Sequence, residues 1–197
     1  MNTNNCKEEL IQTTISLINE NGGDVSKVTI RDITSRSGVS VGLINYHFGN
    51  KDNLITECVQ SIITGVIKSF RPTYEIEKGL SPFEIAKVKV ITTACEVFDF
   101  LLANESISKI SILNDYAHYG ESTNTYTCIR AVCYTIGEGI EDPLKRELIA
   151  NSIVSTMQSA FLRAINEKSF LGYDFTKKED RNRYIVDLVN VLMKEKL

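Results

Sequence analysis

Only three prolines, Pro72, Pro82 and Pro143, interrupt 197 residues, and between them apolar side chains recur at three- and four-residue spacing rather than alternating. A chain patterned in this way buries a stripe along helices, so the expected fold class is all-α, with no strand. The spacing predicts helices over about 7–21, 51–70, 82–103, 106–119, 122–139, 143–168 and 177–196. Gly120, the stretch from Gly139 to Pro143, and Gly172 mark the breaks between the later ones.

Hydrophobic residues make up 43% of the chain and there is no low-complexity stretch, which is enough to bury a substantial core. The polar start from Met1 to Glu9 does not read as a secretory signal, and no apolar run is long enough to span a bilayer. The expected location is the cytoplasm. Five cysteines, an odd number without a CxxC pair, suit neither a disulfide framework nor a zinc finger, and read as reduced, mostly buried thiols. The net charge of −3 argues against a protein that coats nucleic acid by bulk attraction.

The densest local signal lies between residues 22 and 51. Gly22 and Gly23 close the first helix, whose inner face carries Leu10, Thr14, Leu17 and Ile18. Thr29 then stands where its hydroxyl can accept from an orphan amide of a second helix, with Asp32 in the favoured first turn and Ile30 and Ile33 turned inward. Gly38 suits the left-handed backbone that ends this helix. Ser40 is placed to cap a third, with Val39 stapled onto Ile44.

On that third helix Ile44 and Phe48 are four apart and face inward, which leaves Val41, Asn45 and much of Tyr46 and His47 on the outside. A helix so short gains little from propensity, and Gly42 costs it about 1 kcal/mol relative to alanine. Helix, glycine turn and short displayed helix make a helix-turn-helix, whose second helix enters the major groove of DNA. In that role Gly42 permits close approach, Asn45 suits a base edge, and Tyr46, His47 and Lys51 suit phosphates. The plainer alternative packs Tyr46 and His47 partly against a neighbouring helix, and makes Thr29 only a cap and Lys51 only a solvated helix start.

Thr29-Ile30-Arg31-Asp32-Ile33, Ser37-Gly38-Val39-Ser40, Asn45-Tyr46-His47-Phe48-Gly49-Asn50-Lys51 and Leu54 together resemble the DNA-binding head of the TetR family of bacterial transcriptional regulators. The match covers about the first quarter of the chain. The resemblance implies a three-helix helix-turn-helix head over 1–52 and a helical effector-binding and dimerisation domain over 53–197. It implies phosphate contacts from Thr29, Ser40, Tyr46, His47 and Lys51, and base contacts from Arg31, Val41, Gly42, Leu43 and Asn45. Position 45 is commonly aromatic in the family, and Val41 replaces a frequent polar or basic residue, so the operator is this chain's own. The family's activity implies a regulator, a repressor released by a small, largely apolar effector, with a helix from about Lys51 transmitting the change.

Charge qualifies that picture. Residues 1–60 hold five basic side chains against seven acidic ones, so few phosphates should be neutralised by each protomer.

In the remainder, the stretch from Tyr126 to Ile136 carries one charge, Arg130, and is expected to be central. Phe98, Leu102, Tyr116, Tyr119, Tyr126, Ile129, Cys133, Met157 and Phe161 can line a mostly apolar effector pocket or simply fill the core. Glu96 and Asp99 read as solvated. Asp115 and His118 are one turn apart but do not complete a metal set, and no cofactor is expected. Ser152, Ser155, Ser159 and Ala160, with Tyr184, Leu188 and Leu192 on the last helix, suggest a face that pairs two copies into a four-helix bundle, as a palindromic operator requires; the alternative is that both helices close the monomer core. No nucleophile with a base and orienting partner is evident, and no phosphate-cradling glycine loop, so an enzyme is not expected. The expected partners are double-stranded DNA, a second copy of the chain and an unidentified small molecule, and not a membrane.

Overall fold

The computed structural model describes residues 3–137 and 139–194. Nine α-helices account for nearly all regular structure among them: α1 (Thr3–Glu20), α2 (Ile30–Ser37), α3 (Val41–Phe48), α4 (Lys51–Ser69), α5 (Pro82–Ala103), α6 (Glu105–Ala117), α7 (Asn124–Ile136), α8 (Pro143–Ala164) and α9 (Lys178–Leu192). The all-α expectation holds. The chain forms two compact units: residues 1–69 with 104–118, and residues 70–103 with 119–197. The last two residues of the expected final helix, 195 and 196, lie outside the described residues.

In the first unit, α1 packs on α2, α3 and α4, and α4 packs on α6. Leu10, Thr14, Leu17 and Ile18 are all buried, as their spacing on α1 requires, and meet a core completed by Val28, Ile33, Val39, Ile44, Phe48 and Leu54. Ile30 is only half-buried, because α2 turns Ile33 rather than its first residue to the core. The joint between α4 and α6 is polar. Gln60 Nε2 donates to Asp115 Oδ1 at 3.0 Å and to the Ser111 carbonyl at 3.3 Å, while Ser111 Oγ donates to Gln60 Oε1 at 3.3 Å. His118 turns away to its own helix, with Nδ1 3.2 Å from the Asn114 carbonyl oxygen, so Asp115 and His118 do not converge. Among the described residues no group of three or more histidine, cysteine, aspartate or glutamate side chains is arranged to hold a metal.

In the second unit α5, α7, α8 and α9 pack around Phe98, Ile136, Ile153, Phe161 and Ile185. Tyr184 stands edge-on to Phe175 and Tyr173, with ring centroids 5.3 Å away in each case, and Phe98 lies 5.5 Å from Phe175. Gly139 lets backbone approach backbone here: a Cβ at that position would stand 2.5 Å from Phe83 Cα. Buried Gln158 donates through Nε2 to Thr125 Oγ1 at 2.9 Å, joining α8 to the first turn of α7.

Three expectations for this unit are corrected. First, α8 ends at Ala164, and a small hairpin of β1 (Ser169–Phe170) and β2 (Tyr173–Asp174) precedes α9, with Phe170 opposite Tyr173. Its two turn residues, Leu171 (φ 51) and Gly172 (φ 82), both have the left-handed backbone that a tight hairpin turn demands. Second, α7 is not central. Ile129 and Ile136 are buried, but Tyr134 is 84% exposed, because α7 packs on α5 and α8 through one face only. Third, Asp99 is not merely solvated: Arg181 Nε donates to its Oδ1 at 2.7 Å and Lys178 Nζ lies 3.6 Å from Oδ2, so the carboxylate ties α5 to α9.

Candidate nucleic-acid interface

The geometry of the α2–α3 segment follows from its caps. Thr29 has extended backbone (φ −102, ψ 156) and forms a capping box: its Oγ1 accepts from the Asp32 amide at 3.2 Å, and Asp32 Oδ2 accepts from the Thr29 amide at 3.2 Å. The Thr29 hydroxyl also donates to Asp32 Oδ2 at 2.6 Å. These bonds to Thr29 hold the Asp32 carboxyl below its ordinary pKa. Gly38 (φ 67, ψ 9) ends α2 in the left-handed conformation, its amide donating to the Thr34 carbonyl. The chain reverses within Val39 and Ser40, and α3 begins.

Ser40 occupies the N-cap of α3 with extended backbone, yet its side chain makes no capping bond, which corrects the expectation from sequence. Its carbonyl accepts from the Leu43 amide at 3.0 Å. The hydroxyl stays on an exposed residue beside Val41 and Gly42. Val39 and Ile44 are both buried, as a staple requires.

Ile44 and Phe48 seat α3 in the core, and the outer face is left to Val41 (43% exposed), Gly42, Asn45 and Tyr46 (74% exposed). A Cβ at Gly42 would meet only Ser40 Oγ, at 3.8 Å, so the backbone there is open to close approach. Leu43 is half-buried between the two faces. His47 is half-buried, its ring edge-on to Tyr46 with centroids 5.0 Å apart, and its Nε2 is buried without a hydrogen-bond partner among the described residues. Of the Tyr46-His47 pair, then, the tyrosine is displayed and the histidine is partly packed.

The basic residues of the head are mostly engaged with the head itself. Lys7 Nζ lies 3.0 Å from Glu57 Oε1, Lys27 Nζ 3.1 Å from Asp24 Oδ2, and Arg36 Nη1 2.5 Å from Glu20 Oε1. Lys51 Nζ donates to the Val28 carbonyl at 3.2 Å, which clamps the start of α4 to the segment before α2. That bond uses one of the three protons of its ammonium. Arg31 is exposed in the first turn of α2; among the described residues its side chain makes no hydrogen bond or short ion pair, and its charge acts only at longer range, helping to lower the Asp32 pKa. Thr29, Arg31, Ser40, Val41, Gly42, Asn45, Tyr46 and Lys51 thus all belong to one short segment, with Arg31 its uncommitted cation.

The residues expected to line an effector pocket are placed unevenly. Phe98, Ile129, Met157 and Phe161 are buried in the second unit, and Leu102, Tyr126 and Cys133 are half-buried there. Tyr119 is exposed, and Tyr116 is an exposed residue of α6 in the first unit. The Thr125–Gln158 pair, which sequence reasoning passed over, supplies a buried polar contact beside these residues, and Gln158 Oε1 has no hydrogen-bond partner among the described residues. On the suggested pairing face, Ala160 and Tyr184 are buried within the unit, while Ser159 is exposed and Ser152, Ser155, Leu188 and Leu192 are half-buried. No helix among the described residues is long and apolar enough to cross a membrane.

Residues 10–58 match the family model of bacterial regulatory proteins of the tetR family. The chain is 28% identical over 109 residues to the HTH-type transcriptional dual regulator CecR of Shigella flexneri, covering 53% of this chain and 48% of that protein. It is 37% identical over 57 residues to the HTH-type transcriptional regulator BetI 1 of Chromohalobacter salexigens, covering 29% of this chain and 27% of the relative. The chain thus spans about half the length of the first of these relatives and about a quarter of the second. Its fold is shared with a putative TetR-family transcriptional regulator from Mesorhizobium loti (TM-score 0.55, 14% identity, 98% of this chain and 96% of that one). A tetR-family transcriptional regulator from Streptomyces coelicolor is also similar (TM-score 0.53, 18% identity, 98% and 80%). The residues that the family model covers form a glycine-turned pair of short helices within an all-helical chain, so the N-terminal segment of this protein is similar to that of the TetR family of bacterial regulatory proteins.

Proposed function

We propose that this chain is a sequence-specific DNA-binding transcriptional regulator that reads a palindromic operator as a homodimer. The observation that carries the reading is the outer face of α3. Ser40, Val41, Gly42, Asn45 and Tyr46 are displayed, the Ser40 hydroxyl and the Asn45 amide make no side-chain hydrogen bond among the described residues, and Arg31 stands free on α2. A helix of eight residues with a glycine in its first turn is a poor structural element for its own sake. It is well suited to a groove: backbone approaches at Gly42, side chains reach base edges from Val41 and Asn45, and hydroxyls and cations at Thr29, Ser40, Tyr46 and Lys51 reach phosphates. His47 joins them only through the part of its ring that is not buried, and Leu43 contributes the edge of its side chain.

The regulator works in the cytoplasm as a repressor, and a small, largely apolar molecule bound among Phe98, Ile129, Met157 and Phe161 releases it from DNA. The buried aromatic and aliphatic side chains of the second unit, with Gln158 as their polar member, support that part of the reading. Pairing of two copies through the outer sides of α8 and α9 sets the spacing of the two reading heads. No catalytic step belongs to this function.

The test is crosslinking of the intact protein to its genome followed by sequencing of the bound DNA. Enrichment of one palindromic site within a promoter is expected; a flat profile contradicts the reading. Small molecules retained by the purified protein are then identified by mass spectrometry and added to the DNA titration, where an effector lowers affinity by about 1 to 3 kcal/mol. If DNA binding stands but no retained or screened molecule moves the isotherm, the protein regulates without small-molecule input. Sedimentation as a monomer at micromolar concentration, with half-sites bound independently, removes the dimer.

A further inference from the structure

We infer that the α3 helix of this chain reads A·T pairs: the core of each operator half-site contains a thymine whose methyl group meets Val41 and, one or two base pairs away, an adenine whose major-groove edge is held by Asn45. The inference rests on the reading of α3 as the groove-entering helix and names the DNA that helix accepts.

The argument starts from what α3 displays. Its sequence, Val-Gly-Leu-Ile-Asn-Tyr-His-Phe, contains no arginine, lysine, aspartate or glutamate. Arginine and lysine are the usual bidentate readers of guanine O6 and N7, and carboxylates accept from cytosine N4. Neither reader is on this helix. The remaining polar base-reading candidate with a ring nitrogen, His47, has its Nε2 buried. Besides Tyr46, whose hydroxyl suits a phosphate, what faces outward is an apolar branched side chain at Val41, 43% exposed, and a carboxamide at Asn45.

Those two groups have complementary vocabularies. A carboxamide presents one donor and one acceptor, which match adenine N7 and N6–H₂ as a pair, and an exposed methyl-bearing side chain gains by covering the thymine C5-methyl. The four-residue separation of Val41 and Asn45 puts them one helical turn apart on the same face, with Cβ atoms roughly 5–6 Å from each other. Base pairs rise about 3.4 Å, so the two side chains reach pairs that are adjacent or once removed. Gly42, open on its outer side, lets the helix sink far enough for so short a side chain as valine to touch. The Asn45 amide makes no hydrogen bond among the described residues, so base contact displaces nothing but solvent.

The experiment is selection of bound duplexes from a random-sequence pool by the intact protein, followed by base-analogue titrations on the selected site. Selection is expected to return half-sites with a thymine and an adenine at adjacent or next-nearest positions. Replacing that thymine by uracil removes one methyl and should weaken the unaltered protein about threefold to fivefold, and should leave Val41→Ala unaffected. Replacing the adenine by 7-deazaadenine should weaken the unaltered protein about tenfold, and should leave Asn45→Ala unaffected. Guanine–cytosine pairs at both positions overturn the inference while leaving sequence-specific binding intact. So do analogue penalties that persist undiminished in the two variants. A selection that enriches no sequence overturns both the inference and the reading on which it rests.

Discussion

The affinity of the head for DNA should depend on salt far less than the family role of the fold suggests, and the reason is visible residue by residue. Of the five basic side chains in residues 1–60, Lys7, Lys27 and Arg36 are already paired with Glu57, Asp24 and Glu20. Lys51 gives one proton to the Val28 carbonyl and has two left for a phosphate, and Arg31 is uncommitted. Each protomer therefore brings at most about two cations to the duplex, Lys51 at the phosphates and Arg31 wherever it meets the groove, and the proposed dimer at most about four. With about 0.9 counterion released per neutralised phosphate, the logarithm of affinity falls with the logarithm of salt concentration with a slope of about −4. Between roughly 50 and 200 mM salt that is a loss of about two orders of magnitude. Were the three paired cations to leave their carboxylates for DNA, the slope would approach about −9 and the loss would exceed about five orders. Fluorescence anisotropy of a labelled operator across a potassium chloride series measures the slope directly. Arg31→Ala should make it shallower by about 2 in the dimer. A slope of about −8 or steeper, or no change in Arg31→Ala, refutes the assignment of which cations are free.

Other consequences are independent of DNA. Gly139→Ala places a Cβ 2.5 Å from Phe83 Cα and 2.9 Å from the Pro82 carbonyl oxygen, both backbone atoms that cannot swing aside; a loss of about 1–3 kcal/mol in urea unfolding is expected, and wild-type stability contradicts the packing. Burial first, then neighbouring acids, pushes the thiols of Cys58 up to about 12 and Cys95 up to about 11, so neither should be alkylated at pH 8 in the native protein although both react in denaturant, and rapid native labelling of Cys58 contradicts its seat against α1. The Asp32 carboxyl is held below its ordinary value of 3.8 by Thr29; being lowered by folding, it contributes stability above that value and loses it as pH falls through the folded pKa. Asp32→Asn should therefore remove part of the acid sensitivity of head unfolding followed by circular dichroism, and an unchanged acid limb contradicts the capping box.

How much of this was legible in the sequence depended on how local the cause was. The caps at Thr29 and Gly38 and the burial of Ile44 and Phe48 are decided within a turn or two, and spacing alone placed them. So did the outward direction of Val41 and Asn45. The Ser40 hydroxyl was misjudged, since a serine at an N-cap position usually bonds and here does not. Non-local partners were invisible: Asp99 finds Arg181 across 82 positions, and Gln60 finds Asp115 across 55. The stretch from Tyr126 to Ile136 reads as central because it carries a single charge, and only packing shows that α7 leaves one face, with Tyr134, to solvent. The hairpin between α8 and α9 has strands of two residues, too short for any alternation to register. In the head, the ion pairs of Lys7 and Arg36 turned a count of charges into a statement about which of them are available.

The claim on which the rest stands is that the outer face of α3 is a DNA-reading surface. Titration of the crosslink-identified operator with the intact protein and with an Asn45→Ala, Tyr46→Ala double variant, checked for an unchanged melting temperature, tests it with least intervening inference. Both side chains are exposed, so the fold should persist while operator affinity drops at least about tenfold. Equal affinity of a fully folded double variant contradicts the account.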